Sequence, residues 1–161
     1  MTMTRHSRAV CAALLVAVAA PAAAAAEQVV LTVTGAVRDA PVALTRADLL
    51  ALPQHMIVTS TTVTDGRPRF EGFLMRDLLA VLGAEGETVV ATALNAYRME
   101  IPVADFHDFD VLGALAMDGA PLGPRDKGPV WIVYPRDDHR RLQDIRYDTR
   151  WVWQLVSLDV R

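Results

Sequence analysis

The sequence predicts an α+β fold with mixed or antiparallel sheets and short inserted helices. Three observations carry this reading. Alternating, β-branched segments recur from end to end, helical patterns are all short, and no regular strand–helix–strand repeat joins them. At 161 residues, 52% hydrophobic against 22% charged, the chain has enough apolar material for one core, which argues against disorder or a repeat array.

Val29 to Thr34 is β-branched and roughly alternating, and Gly35 ends it, so a first strand is expected there. Thr45 followed by Asp48 has the form of an N-cap with an acidic first turn. Leu49, Leu50 and Leu52 then give a short helix its stripe, and Pro53 stops it. A second strand is predicted over His55 to Thr64, with Met56, Val58 and Ser60 on one face and Ile57, Thr59 and Thr61 on the other, up to the turn Asp65-Gly66. Phe70 to Phe73 leads into a helix from about Leu74 to Leu82, with Gly83 at C′. Thr88 to Leu94 and Tyr97 to Ile101 flank Asn95-Ala96, and Pro102 is read as the N1 residue of a helix reaching Phe109. Leu112 to Met117 and Ala120 to Leu122 flank Asp118-Gly119, the clearest hairpin signal in the chain. Val130 to Tyr134 reads as a short buried strand, and a last strand is predicted from Arg150 to Val160.

The start of the chain reads differently. Arg5 and Arg8 precede the apolar run Ala9 to Ala20, and Ala24-Ala25-Ala26 supplies small residues before Glu27. That pattern is a secretory signal peptide over 1–26, too short in its apolar run to span a bilayer. The expectation is a periplasmic protein, cleaved after Ala26, whose 27–161 remainder forms a single domain with no direct membrane insertion. Two basic residues and no acidic one lie in the leader, so the remainder is more acidic than the net −3 of the whole chain. Its single lysine is Lys127 and no dense basic run exists, which excludes nucleic acid as a partner. The only cysteine, Cys11, falls in the leader. The mature chain is therefore expected to have no disulfide, cysteine nucleophile or thiolate metal ligand.

Catalytic chemistry finds little support. Ser60 and Ser157 sit in no nucleophile elbow, and His55, His107 and His139 have no metal-ligand spacing. Asp105, His107, Asp108 and Asp110 cluster, but without a calcium-loop spacing they read as the solvated acidic face of a helix. The aromatic and arginine residues are more informative. Trp131, Tyr134, Tyr147, Trp151 and Trp153 interleave with Arg136, Arg146 and Arg150. Strand alternation would set Trp151 and Trp153 on one face as a wall for a flat heterocycle. Val152 and Leu155 favour a core position for Trp153, whereas Trp151 stands between core and site. Asn95, Tyr97, amides near Gly128 and a carboxylate would hydrogen-bond the edge of such a ring.

In this order, a strand ending in Gly35, Leu44 to Leu49, Phe70 to Leu79, Ala93 to Pro102, Asp126 to Pro135 and Trp153-Gln154-Leu155 resemble the small periplasmic proteins with the sulfite-oxidase-type molybdopterin-binding fold. The resemblance implies a site where the Thr59 to Thr64 segment, the Asn95 turn, the Trp131 strand and the Arg150 segment meet, with Thr62, Asn95, Tyr97, Trp131, Tyr134, Arg150 and Trp151 holding the ligand. Catalytic members place a molybdenum-ligating cysteine where this chain reads Thr59 to Gly66, and a cofactor-binding arginine where it has Trp131. A hydroxyl does not replace a soft thiolate, so the expectation is a non-catalytic protein that binds a reduced pterin without molybdenum. The cysteine-free branch is similar to the PruR-like periplasmic pterin-binding regulators, which implies as partner the periplasmic domain of a membrane-bound diguanylate cyclase/phosphodiesterase. The alternative is an oxidoreductase subunit or accessory protein binding molybdopterin. A third reading is a ligand-free relic that stabilises a membrane partner by contact.

Overall fold

The computed structural model describes residues 28–161; the expected leader, its cleavage point and Cys11 lie outside the described residues. Two mixed or antiparallel five-stranded sheets enclose one apolar cluster. The first runs β2 (Val42–Thr45), β1 (Val29–Gly35), β10 (Leu155–Val160), β5 (Thr88–Ala93), β6 (Arg98–Pro102). Only β1 and β10 pair in parallel there, with Thr32 opposite Ser157. The second runs β3 (Gln54–Val58), β4 (Arg69–Leu74), β7 (Leu112–Met117), β8 (Ala120–Pro121), and β9 (Trp131–Val133) also pairs with β7.

Helices are inserted between strands and none exceeds two turns. α1 (Arg46–Ala51) starts in a full capping box: the Thr45 hydroxyl accepts from the Asp48 amide, and the Asp48 carboxylate accepts from the Thr45 amide. α2 (Met75–Val81) packs Met75, Leu78 and Leu79 inward, and Gly83 at φ 59° turns the chain away. α3 (Val103–Asp108) follows Pro102, which stands at the N-cap rather than at N1 and closes β6. α4 (Ile145–Asp148) comes after a single 3₁₀ turn, Arg140–Gln143. Among the described residues no helix is long and apolar enough to cross a membrane.

The core is built from both sheets. Leu31, Phe70, Phe73, Phe106, Trp131 and Tyr134 are fully buried. Gly113 is required under Phe73, because a Cβ there would stand 2.4 Å from its ring.

Two strand predictions need correction. The second strand stops at Val58; Thr59 to Thr64 is loop. Its β-branched threonines favour a strand, but their hydroxyls bond locally instead, Thr61 to Thr64 at 2.8 Å and to the Val63 amide at 3.0 Å. The last strand begins at Leu155 rather than Arg150. Gln154 takes φ 50° while its amide bonds to the Lys127 carbonyl, which breaks any ladder through 150–154. Alternation therefore does not govern Trp151 and Trp153.

Candidate functional site

The segment after α4 is clipped at both ends. The Ile132 amide donates to the Val152 carbonyl and the Leu155 amide to the Val130 carbonyl, both at 2.9 Å, while the Leu94 amide donates to Gln154. These bonds send Trp151 inward, 5% exposed, and leave Trp153 at the surface, 37% exposed. The sequence reading had leaned the other way for Trp153. Its neighbours are apolar, but with no strand there they do not fix the side to which it turns.

Opposite stands the turn after β5. Ala96 takes φ 66°, and the Asn95 side-chain oxygen accepts from the Tyr97 amide at 3.0 Å. The Tyr97 hydroxyl reaches across to the Thr149 carbonyl at 2.9 Å. Between the two segments lies a cavity of about 240 Å³ whose walls include the rings of Tyr97, Trp151 and Trp153 and the polar groups of Asn95, Asp148 and Thr149. Its volume is below the roughly 300–1,000 Å³ typical of drug-sized sites, which suits one small flat ring.

Asp148 is the only charged side chain lining this cavity. Its Oδ1 is buried without a hydrogen-bond partner. The Nε of Arg136 stands 3.7 Å away, forming an ion pair with it that is too long for a hydrogen bond. The Trp151 indole N–H is likewise buried and unpartnered. Buried polar groups are usually satisfied, so the unpartnered indole N–H groups of Trp131 and Trp151 and the long Arg136–Asp148 ion pair mark the place as unusual.

Of the expected site residues, Asn95, Tyr97 and Trp151 come together here. Trp131 is completely buried behind them, edge-on to Phe70 at 5.2 Å, with Trp151 at 6.3 Å and Trp153 at 6.5 Å. It supports the aromatic wall and presents no face to a ligand. Tyr134 is equally buried and donates to Asp105 Oδ2 at 2.9 Å. Burial pushes the Tyr134 phenol far up, and the Asp105 carboxylate adds to the effect. Arg150 pairs with the same oxygen and lies over the Tyr147 ring at 4.7 Å. Asp105 is therefore a buried structural anchor, not part of a solvated acidic face, because Tyr134 and Arg150 compensate its charge.

Thr62 is exposed in the loop after β3, outside the cavity lining. Asp137 ties that loop down. It accepts from the Ser60 amide at 2.8 Å, the Ser60 hydroxyl at 2.6 Å and Arg67 Nε at 2.8 Å, and its own amide donates to Thr59 Oγ1 at 3.1 Å. The Ser60 hydroxyl bond, followed by the Ser60 amide and Arg67, holds the Asp137 carboxyl below the usual carboxylate range. The sequence reading named Arg136 only among the arginines interleaved with the aromatic residues and did not single out Asp148 or Thr149, which no local motif marks; only the fold brings Arg136 to Asp148.

The family model of the oxidoreductase molybdopterin binding domain matches residues 17–137. The chain belongs to that family. In the molybdopterin-binding family the fold is the sulfite-oxidase type, and the architecture above matches it. A solved structure with the same fold is the sulfane dehydrogenase SoxCD from Paracoccus pantotrophus, with a TM-score of 0.62 and 20% identity over 81% of this chain. The chain spans only 37% of that relative's length. No curated protein matches the sequence. Membership points to a molybdopterin-type ligand, and the donor set tests which part of it these residues suit. Among the described residues there is no cysteine and no group of three or more histidine or acidic side chains placed to hold a metal. No cationic side chain lines the cavity, although the Lys127 ammonium lies over the Trp153 ring at 5.5 Å. A thiolate-held molybdenum therefore does not fit these residues, whereas a flat ring with polar edges does. The Trp151 and Trp153 wall lies beyond the matched residues, after Asp137.

Proposed function

We propose that this chain is a periplasmic, non-catalytic pterin-binding protein that reports a reduced pterin to the periplasmic domain of a membrane-bound diguanylate cyclase/phosphodiesterase. The observation that carries the reading is the small cavity between Tyr97, Trp151 and Trp153 with a single carboxylate at its side. Aromatic faces bind a flat heterocycle without needing its phosphate, and polar groups at the rim fix its orientation. Export is inferred from Arg5, Arg8, the apolar run and the alanines before Glu27.

A second reading, an oxidoreductase subunit or accessory protein that binds molybdopterin, is favoured by the family match itself. Mass spectrometry of small molecules released from purified protein, with elemental analysis after growth in molybdenum-replete medium, separates the two. A pterin without stoichiometric molybdenum is expected. One molybdenum per chain would establish the second reading instead.

A further inference from the structure

Resting on the pterin reading, we infer that the cavity selects its ligand by the amino–imino–oxo edge of the pyrimidinone ring, with Asp148 accepting from the two N–H donors and Asn95 donating to the neighbouring carbonyl. The inference starts from which hydrogen-bonding groups remain uncommitted. The Asn95 side-chain oxygen is taken by the Tyr97 amide, so the group it has left to offer is its NH₂, a donor. Asp148 is the opposite case. A carboxylate offers acceptors only; its buried Oδ1 faces Arg136 in a long ion pair at 3.7 Å, and the side chain as a whole lines the cavity.

Arg136 stands near that buried oxygen at 3.7 Å, while the side chain keeps 23% exposure, so the carboxylate is open on another side. The cavity thus presents acceptors from Asp148 and a donor from Asn95, between aromatic walls. The complementary ring edge carries two adjacent donors and then an acceptor. Pterins have that edge in their exocyclic amino group, ring N–H and carbonyl. With Oδ1 turned to Arg136, the other carboxylate oxygen is the acceptor for these N–H groups, and a hydrogen bond to a charged acceptor is among the stronger ones. Lumazines have the same fused rings but a carbonyl in place of the amino group, which would set oxygen against the Asp148 carboxylate. Guanine shares the pterin edge on a smaller ring system, so the recognition chemistry is common to both and the test must separate them.

The experiment is calorimetric titration of the purified protein, under reducing and anaerobic conditions, with a tetrahydropterin, the tetrahydrolumazine of the same substitution, and guanosine. Because hydrogen bonds to charged groups are among the stronger ones, the wild-type protein is expected to prefer the pterin over the lumazine by about tenfold to a hundredfold. Asp148→Asn, nearly the same in shape, should erase that preference; because it also removes the partner charge of Arg136, a lower melting temperature is expected and the titrations are run well below it. Equal affinity of the wild-type protein for pterin and lumazine would overturn the inference and leave the pterin reading standing, as would a preference undiminished in Asp148→Asn. Guanosine bound more tightly than the pterin would support the edge recognition and overturn the pterin reading. Failure of all three probes to bind would remove both.

Discussion

The loop after β3 and the segment after α4 are both irregular and both rich in side chains able to hold a ligand, yet their polar groups end in different places. In the first, Thr59, Ser60 and Arg67 converge on Asp137 in short bonds, and Thr61 bonds Thr64. In the second, Asp148 Oδ1 meets only the long ion pair to Arg136, the Trp151 indole N–H is buried without a partner, and the Tyr97 hydroxyl bonds the Thr149 carbonyl across the cavity. A network closed on itself is structural, because displacing any member leaves another buried group unsatisfied. An incomplete one beside a cavity has capacity left for a ligand. The resemblance had directed attention to Thr62 and its neighbours; the hydrogen bonds direct it to Asp148.

The sharpest way to break this comparison is within the aromatic wall. Trp131 is fully buried, so Trp131→Ala should cost about 3–5 kcal/mol of stability, as large-to-small core changes do. Trp153 is partly exposed, and Trp153→Ala should leave the melt nearly unchanged while weakening tetrahydropterin binding by about tenfold, the size of one stacking contact. Parallel chemical denaturation and calorimetry read both effects. A stable Trp131→Ala protein with lost affinity would return Trp131 to the site.

The turns and caps were legible because their chemistry is local. Thr45 and Asp48 form their capping box within one turn, and Asp118-Gly119 takes positive φ at both residues to close the β7–β8 hairpin. Thr59 to Thr64 misled for an equally local reason: β-branched composition favours a strand, and only the long-range anchor at Asp137 withdraws the segment from the sheet. The aromatic content of the candidate site was also legible, but its arrangement was not. How Trp151 and Trp153 turn, one buried and one at the surface, depends on bonds to Val130, Ile132 and Lys127 that no periodicity announces. Asp148 was hidden among many carboxylates, since its distinction is a place on the cavity wall beside Arg136 that only the fold creates.

A smaller effect tests the closed loop. Asp137→Asn keeps the shape but removes the charge that Ser60 and Arg67 address, and should destabilise the fold by about 1–2 kcal/mol near neutral pH with pterin affinity unchanged. The sign of its pH dependence follows from the lowered folded-state pKa. The stabilisation is fully present above the unfolded carboxylate value of about 3.9 and is lost as the pH falls through the lower folded value. Denaturation curves of the two proteins should therefore differ at neutral pH and converge once the pH falls below the lowered folded-state value. A gap that persists in acid would show that packing, not charge, makes the anchor.

The smallest effect belongs to the bridge across the cavity. The Tyr97 hydroxyl donates to the Thr149 carbonyl in an exposed setting, so Tyr97→Phe should cost no more than about 0.5–1 kcal/mol of stability, because water replaces the lost partner. The ring that faces the ligand is retained. Affinity for a tetrahydropterin should then fall only about two- to fivefold, and mainly through faster release, since the rim is looser while the wall is intact. Tyr97→Ala removes both and should weaken binding by about tenfold or more. Stopped-flow fluorescence, using the tryptophans beside the cavity as reporters, separates association from release. Equal losses in Tyr97→Phe and Tyr97→Ala would mean that the bridge, rather than the ring, makes the site, and the cavity would then be a clamp held shut by one hydrogen bond.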